Sequence, residues 1–321
     1  MATPQPKAAV VTEAPPLKKN RMSLASLVKG KIKQPVKLLL YGVEGIGKST
    51  FAASAPAPIF IGAENGTEQL DVTRFPSPEK WEDILDALRV LTNEAHEFKT
   101  VAIDTLDWAE PMLWEFICKR DNHANVEDYG YGKGYQAALD EWRVFLALLE
   151  RLREAKKMHI IMLAHSWIKA FKNPQGEDYD RYELKLNAKA SGKLKEWSDA
   201  VLFAQYETYA TKDKNKRVRG VDTGARLIHT QHRASFDAKN RFNLPEALPL
   251  AWADFEEAIG ADRPADPEAL TSEIQRKAQL LGPKFETATA SALERSGNDA
   301  SKLSKLNNWV NSKLIDAGVE Q

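Results

Sequence analysis

From position 36 onward, short runs of consecutive apolar residues alternate with stretches in which apolar residues return every third or fourth position. The runs are Leu38-Leu39-Leu40-Tyr41, Pro58-Ile59-Phe60-Ile61, Val101-Ala102-Ile103, Ile160-Ile161-Met162-Leu163-Ala164 and Ala200-Val201-Leu202-Phe203-Ala204. A run without polar alternation fits a strand buried on both faces, as in a parallel sheet covered by helices. Between the runs, Trp81, Ile84, Leu85, Leu88 and Leu91 give one apolar face to a helix that Ser77-Pro78-Glu79-Lys80 opens, with proline in its first turn. Pro111 to Lys119 reads as an apolar-rich helix, and Ala137 to Lys157 as a long amphipathic one. Asp71 to Phe75 reads as a short strand. The alternation predicts an α/β fold whose mostly parallel central sheet is flanked by helices.

The remaining stretches are less regular. Residues 120–135 are polar, aromatic and glycine-rich, and residues 166–196 read as a long polar insertion. Arg226-Leu227-Ile228-His229-Thr230 and Arg233-Ala234-Ser235-Phe236-Asp237 read as antiparallel edge strands, and Leu244 to Trp252 closes the core. Residues 1–22, rich in Pro, Ala and Lys, read as a disordered tail, with one helical turn at Ser23–Val28. The core is expected over 23–260, a Pro/Ala/Asp-rich linker over 261–267, and a small helical appendage over 268–321. Leu270, Ile274, Leu280 and Leu281 make one apolar stripe of that appendage; Leu303, Leu306, Trp309, Val310 and Leu314 make another.

Composition narrows the classes. The chain has 321 residues, is 43% hydrophobic and 28% charged, and carries 45 basic and 45 acidic side chains. A net charge of zero argues against a general basic coat for nucleic acid, though not against local basic patches. One cysteine, Cys118, allows no internal disulfide and no cysteine metal site; within an apolar helical run it reads as a small buried hydrophobe. No apolar run approaches the length of a membrane span, and the N-terminus lacks the apolar core of a signal peptide.

The most specific chemistry lies directly after the first run. Gly42-Val43-Glu44-Gly45-Ile46-Gly47-Lys48-Ser49-Thr50 has the G-x-x-x-x-G-K-S spacing of a phosphate-binding loop between a strand and a helix. Glycines allow successive N–H groups to turn inward on an anion. Lys48 reaches the outer phosphates, and Ser49 holds Mg²⁺. ATP and Mg²⁺ are therefore the expected ligands. Asp104 ends an apolar strand, where it can serve the metal through water as a Walker B acid. Thr105 follows it, which disfavours ATPases whose base comes directly after that Asp. A D-x-x-G at Asp104 and a downstream N-K-x-D are both missing, which disfavours GTPases. Water must still be oriented for attack. Glu64, at the end of the strand after the loop's helix, is the best candidate. Strand ends of a parallel sheet meet at one crevice, so Glu64, Asp104 and His165 should face the same nucleotide. For each of these, a solvated strand-end residue is the plainer alternative.

In order, the parts resemble the RecA-like core of recombinases over roughly residues 36–258: phosphate loop, a strand running into Phe60-Ile61-Gly62-Ala63-Glu64, the strand Thr100-Val101-Ala102-Ile103-Asp104-Thr105, a flexible loop, a long helix, and a strand ending in His165. The chain looks closer still to phage-encoded ATP-binding proteins of the Sak-type single-strand annealing group, where His after a strand such as Ile160-Ile161-Met162-Leu163-Ala164 looks typical. The resemblance implies a RecA-like P-loop NTPase core. It implies an ATPase of DNA recombination, with Glu64 activating water and His165 sensing the γ-phosphate.

Further roles follow from the same resemblance. The loop with Tyr129, Tyr131, Lys133 and Tyr135 stands where the first DNA-binding loop would be. The segment with Trp167, Lys169, Phe171 and Lys172 stands where the second would be, and Lys185, Lys189, Lys193 and Lys195 extend its positive character. Lys239 and Arg241, in a Lys-Asn-Arg turn, match the hairpin that caps ATP on the neighbouring subunit, where they would neutralise transition-state charge. On the residues alone, these stretches also read as surface loops and a charged turn. The implied partners are single-stranded DNA, further copies of the chain, and a single-strand-binding protein; no membrane is implied. The location is the cytoplasm, that of the host for a phage protein. The segment before Val36 is short and mostly polar, which argues against a long, stable filament but not against a ring or a DNA-induced assembly; ring and filament both stay open. Two rival readings use the same core: a helicase-loader or motor ATPase, and a non-catalytic ATP-switched adaptor of phage replication.

Overall fold

Ten strands and eight helices are described in the computed structural model, which covers residues 26–27, 29–30, 34–64, 68–174, 176–212, 218–260, 267–297, 299, 302–303, 305–307, 309–310 and 313. Residues 1–34 and 35–321 are separate units. The expected tail over 1–22 lies outside the described residues. Of the expected turn at Ser23–Val28, Ser26 and Leu27 are described, with Ser26 in 3-10 conformation.

In the second unit the strands are β1 (Lys37–Gly42), β2 (Pro58–Gly62), β3 (Thr73–Arg74), β4 (Thr100–Asp104), β5 (His159–Phe171), β6 (Tyr179–Leu184), β7 (Ala200–Lys212), β8 (Val218–His229), β9 (Lys239–Asn240) and β10 (Ala247–Pro249). The sheet order is β10-β8-β7-β1-β5-β4-β2-β3, with β6 paired to β5 and β9 to β7. β1 runs parallel to both its neighbours, β5 and β7, and β4 is parallel to β5 and β2. β5 therefore lies between the strand that feeds the phosphate loop and the strand that ends in Asp104. β8 and β10 extend the sheet antiparallel beyond β7.

The apolar runs are explained by burial on two faces. Leu39, Tyr41, Val101, Ile103, Ile160 and Met162 face α2 (Trp81–Asn93), α3 (Leu106–Asp121), α4 (Lys133–Lys156) and α5 (Ala188–Trp197), whose Trp81, Leu113, Trp142, Phe145 and Leu194 fill that layer. Leu38, Leu40, Phe60, Ala102, Ile161 and Leu163 face α1 (Lys48–Ala53) and α6 (Trp252–Gly260), through Phe51, Trp252 and Phe255. Alternate residues of one strand thus enter opposite layers, so no polar position is left. Gly42 is required by contact: a Cβ there would lie 2.3 Å from the Ala204 carbonyl oxygen of β7.

Several expected boundaries shift. α2 begins at Trp81, after Pro78, because the Asp83 carboxylate accepts the Glu79 and Lys80 N–H groups (3.0 and 3.2 Å) and fixes the start there. α3 begins at Leu106, with Pro111 inside it; so near the N-terminus proline forfeits one helical bond, to the Asp107 carbonyl. α4 begins at Lys133, inside the stretch expected to be loop. The expected insertion at 166–196 is ordered as the second half of β5, β6 and α5. Arg233 to Phe236 forms isolated bridges rather than a strand.

Residues 261–266 of the expected linker lie outside the described residues. Pro267 instead opens α7 (Pro267–Leu280), which is followed by α8 (Pro283–Ser296). Ile274, Leu293, Leu303 and Val310 bury one another in a small separate core. Leu280, expected on an apolar stripe, is exposed.

Candidate functional site

β1 delivers the loop to the carboxyl edge of the sheet. Gly45 and Gly47 take φ values of 72° and 108°, where a side chain would be strained, and Gly47 caps α1. Ile46 is buried in the core and pins the loop from below, while Glu44 and Thr50 are exposed and Val43 is half-buried. Lys48 is buried, and its Nζ donates to the Val43 and Gly42 carbonyls at 2.9 and 3.3 Å. Burial pushes this ammonium below its ordinary pKa, against the opposing pull of Asp104, Asp107 and Glu64. Ser49 Oγ donates to Asp104 Oδ2 at 2.6 Å. Burial raises the Asp104 carboxyl, with the Ser49 bond acting in the opposite direction.

The acids arrive on neighbouring strands. Asp104 lies beside Gly62 in the β2–β4 register, and its carbonyl accepts the Ala63 and Glu64 N–H groups at 2.8 and 3.3 Å. This bond pair turns the chain at the end of β2 and aims Glu64 at the cleft. His165 lies beside Gly42 in the β1–β5 register. Its Nε2 is 4.0 Å from Glu64 Oε2. A cleft of about 320 Å³ is lined by Gly45, Gly47, Lys48, Ser49, Thr50, Glu64, Gln69, Leu70, Asp104, Thr105 and His165.

Asp107 is the residue that sequence reasoning missed. Its buried carboxylate accepts the His165 backbone N–H at 2.9 Å and meets the ring Nδ1 at 2.8 Å. Burial would raise this carboxyl, but the two His165 bonds hold it below its ordinary value. The pair fixes the ring so that Nε2 faces Glu64. Starting α3 at Pro111 hid the signal, because Asp107 then lay outside the helix that presents it.

One turn further along α3, Glu110 is buried and accepts the Asn187 N–H through both carboxylate oxygens (2.9 and 3.2 Å). Burial pushes its pKa up to about 7. A raised carboxyl favours the folded state at low pH, and that contribution is lost as pH rises from the ordinary carboxylate value to about 7. Glu110→Gln keeps an acceptor without the ionisation. Denaturant unfolding should give the same stability as the parent at about pH 5 and about 1–3 kcal/mol more at about pH 8. A difference independent of pH would refute this account.

Asp104 and Ser49 bring together hard oxygen donors, with Glu64 near. That set fits Mg²⁺, which takes one or two protein oxygens and completes its shell with phosphate and water. Among the described residues, no cluster of three or more His, Cys, Asp or Glu suited to an all-protein metal cage occurs.

The expected DNA segments divide. Tyr129 donates to the Ile117 carbonyl and Asp121 (2.9 and 2.7 Å) and packs on His123, and the Tyr135 hydroxyl is bonded to Glu127. Of the glycine-rich loop expected over Asp128–Tyr135, Asp128 and Tyr129 end a 3-10 turn (Val126–Tyr129) capped by Asn125, and Lys133 to Tyr135 open α4. Tyr131, at φ 48°, and Lys133 project into solvent. In the β5–β6 hairpin, Trp167, Lys169 and Phe171 alternate onto one face, opposite Glu183, Arg181 and Tyr179. Lys169 lies over the Trp167 ring at 5.1 Å and Arg181 over Phe171 at 5.0 Å. Trp167 and Lys169 are exposed; Lys172 is exposed and paired with Asp178 at 2.6 Å. Lys185 and Lys189 are exposed, whereas Lys193 and Lys195 pair with Glu196 and Asp237.

Lys239 and Arg241 are not brought to the cleft of their own chain. β9 lies beside Ala200 and Val201, at the start of β7 and so at the opposite edge of the sheet. Lys239 Nζ donates to the Lys195, Glu196 and Ser198 carbonyls at 2.9, 2.9 and 2.8 Å, closing the C-terminus of α5. Arg241 is exposed and 3.1 Å from Asp199.

A glycine loop leaving β1, a metal-suited acid two strands away on β4, and β5 between them define a P-loop NTPase core of RecA-like fold. The chain belongs to an AAA domain family, AAA_24, whose model matches residues 34–242. No curated protein matches it. Among solved structures, the crystal structure of the RadB recombinase is similar over 67% of this chain and 86% of its own, at 14% identity and a TM-score of 0.38. Among the described residues, no helix is long and apolar enough to cross a membrane.

Proposed function

We propose that this protein is a Mg²⁺-dependent ATPase that binds single-stranded DNA and assists annealing or strand exchange, with ATP held between subunits. The observation that carries the reading is one cleft gathering Lys48, Ser49, Asp104, Glu64 and His165. Lys48 and the loop N–H groups bind the outer phosphates, and Ser49 with Asp104 holds the metal. Bound Mg²⁺ supplies charge neutralisation at the phosphates. Glu64 accepts a hydrogen bond from the attacking water and orients it in line with the terminal phosphorus. His165, held by Asp107, offers Nε2 to the terminal phosphate and is continuous with the hairpin through β5.

The hairpin face of Trp167, Lys169 and Phe171 suits single-stranded DNA: aromatic rings for bases, cations for phosphates. Arg241, the exposed member of the basic pair, is the candidate for contact with a neighbour's nucleotide. The test is ATP turnover of the full chain with and without single-stranded DNA. Stimulation is expected, and Trp167→Ala should weaken DNA binding by about 1–3 kcal/mol. Absence of hydrolysis under both conditions would overturn the enzymatic reading. DNA affinity untouched in Trp167→Ala would remove the hairpin from the DNA site.

A further inference from the structure

The groups suited to the terminal phosphate all lie to one side of β1. Glu64, Asp104 and His165 come from β2, β4 and β5. A nucleoside triphosphate held with its terminal phosphate there would extend its other end across the loop toward the opposite flank. That flank is built by β7, β8 and β10.

Three side chains from this flank rest against the loop. Tyr206 of β7 donates its hydroxyl to the Gly45 carbonyl at 3.4 Å. Arg226 of β8 is its cross-strand partner. The guanidinium lies so close to Gly47 that a Cβ on that glycine would sit 3.0 Å from it and 3.6 Å from Leu250. Leu250 follows β10 and donates its N–H to the Arg226 carbonyl at 2.9 Å. Arg226 is exposed and forms no ion pair among the described residues. An exposed guanidinium beside the loop, with no carboxylate among the described residues holding it, is available to a ligand that enters there. A flat guanidinium, a phenol ring and an aliphatic side chain together match a planar heteroaromatic base and its ribose.

We propose that Tyr206, Arg226 and Leu250 form the nucleoside-binding wall of the site and that Arg226 contacts the base or ribose rather than the phosphates. This rests on the nucleotide reading of the loop and deepens it. Through Tyr206 and Arg226, the wall also ties nucleotide occupancy to the β7–β8 ribbon.

The test compares Mg-ATP with Mg-tripolyphosphate, which has the phosphate chain but no nucleoside, by calorimetric titration of the full chain. Wild type should bind ATP the more tightly. Arg226→Ala and Tyr206→Ala should each weaken ATP binding by about tenfold and leave tripolyphosphate affinity unchanged, with Tyr206→Phe close to wild type. Retained tripolyphosphate binding also shows that the variants fold. Equal losses for both ligands would place Arg226 on the phosphates and overturn the proposal. So would an unchanged ATP affinity, or a wild type that binds the two ligands equally. A wild type that binds neither would overturn the nucleotide reading itself, and the wall with it.

Discussion

Replacing Lys48 with alanine should abolish measurable ATP turnover, with kcat falling by about a hundredfold or more. Lys48 is the buried ammonium of the cleft, and its Nζ sits at the mouth of the glycine loop. Phosphoryl transfer requires that charge at the outer phosphates be neutralised by groups already in position. A water replacing the ammonium supplies neither the charge nor the fixed geometry. Folding should not suffer in proportion. Burial already pushes this lysine below its ordinary pKa, so the folded state carries a desolvation cost that alanine removes. Thermal melting of Lys48→Ala near the parent value, beside lost turnover, is the expected pair of results. Turnover within a few-fold of the parent would show that ATP is hydrolysed elsewhere.

Glu64→Gln should bind ATP about as well as the parent and hydrolyse it about a hundred- to ten-thousandfold more slowly. The amide keeps the size of the side chain and one acceptor oxygen, but loses the negative charge that, in the proposed reaction, would orient water and take up its proton. The backbone should not move, because the turn at Glu64 is held by the Asp104 carbonyl rather than by the side chain. Single-turnover hydrolysis and equilibrium binding, measured on one preparation, separate the two effects. Normal hydrolysis would move the water-orienting role away from Glu64. Weakened binding with unchanged turnover would make Glu64 a ligand-holding residue.

The parts visible in the sequence are those set by local pattern. Runs such as Ile160 to Ala164 have no polar position because both faces of the sheet are covered, so they read as strands directly. The loop from Gly42 to Thr50 has a fixed spacing. Glu64, Asp104 and His165 could be grouped because each closes an apolar run, and parallel strands end at one edge.

What escaped depends on partners distant in sequence. Asp107 is informative only once β5 sets His165 beside it, 58 positions away. The hairpin residues alternate between Trp167, Lys169, Phe171 and Ser166, Ile168, Ala170, a mixture that marks neither face as buried, so the segment read as an insertion. Tyr129 looked free to stack until Asp121 and the Ile117 carbonyl claimed its hydroxyl. Lys239 looked like a reaching cation, but its acceptors are backbone carbonyls at the end of α5, which carry no mark in the sequence. Tyr206 and Arg226 meet only through the β7–β8 register.

β5 runs unbroken from the buried sheet through His165 into the exposed hairpin. Because its side chains point alternately up and down, His165, Trp167, Lys169 and Phe171 all belong to one parity class. Changes of length in this strand should therefore act in steps. A single inserted or deleted residue beyond His165 would leave the nucleotide cleft intact while turning Ser166, Ile168 and Ala170 onto the face now held by the aromatics and lysine. Length changes in pairs, matched on β6, preserve the hairpin's chemistry, so among relatives its tip should vary by even steps.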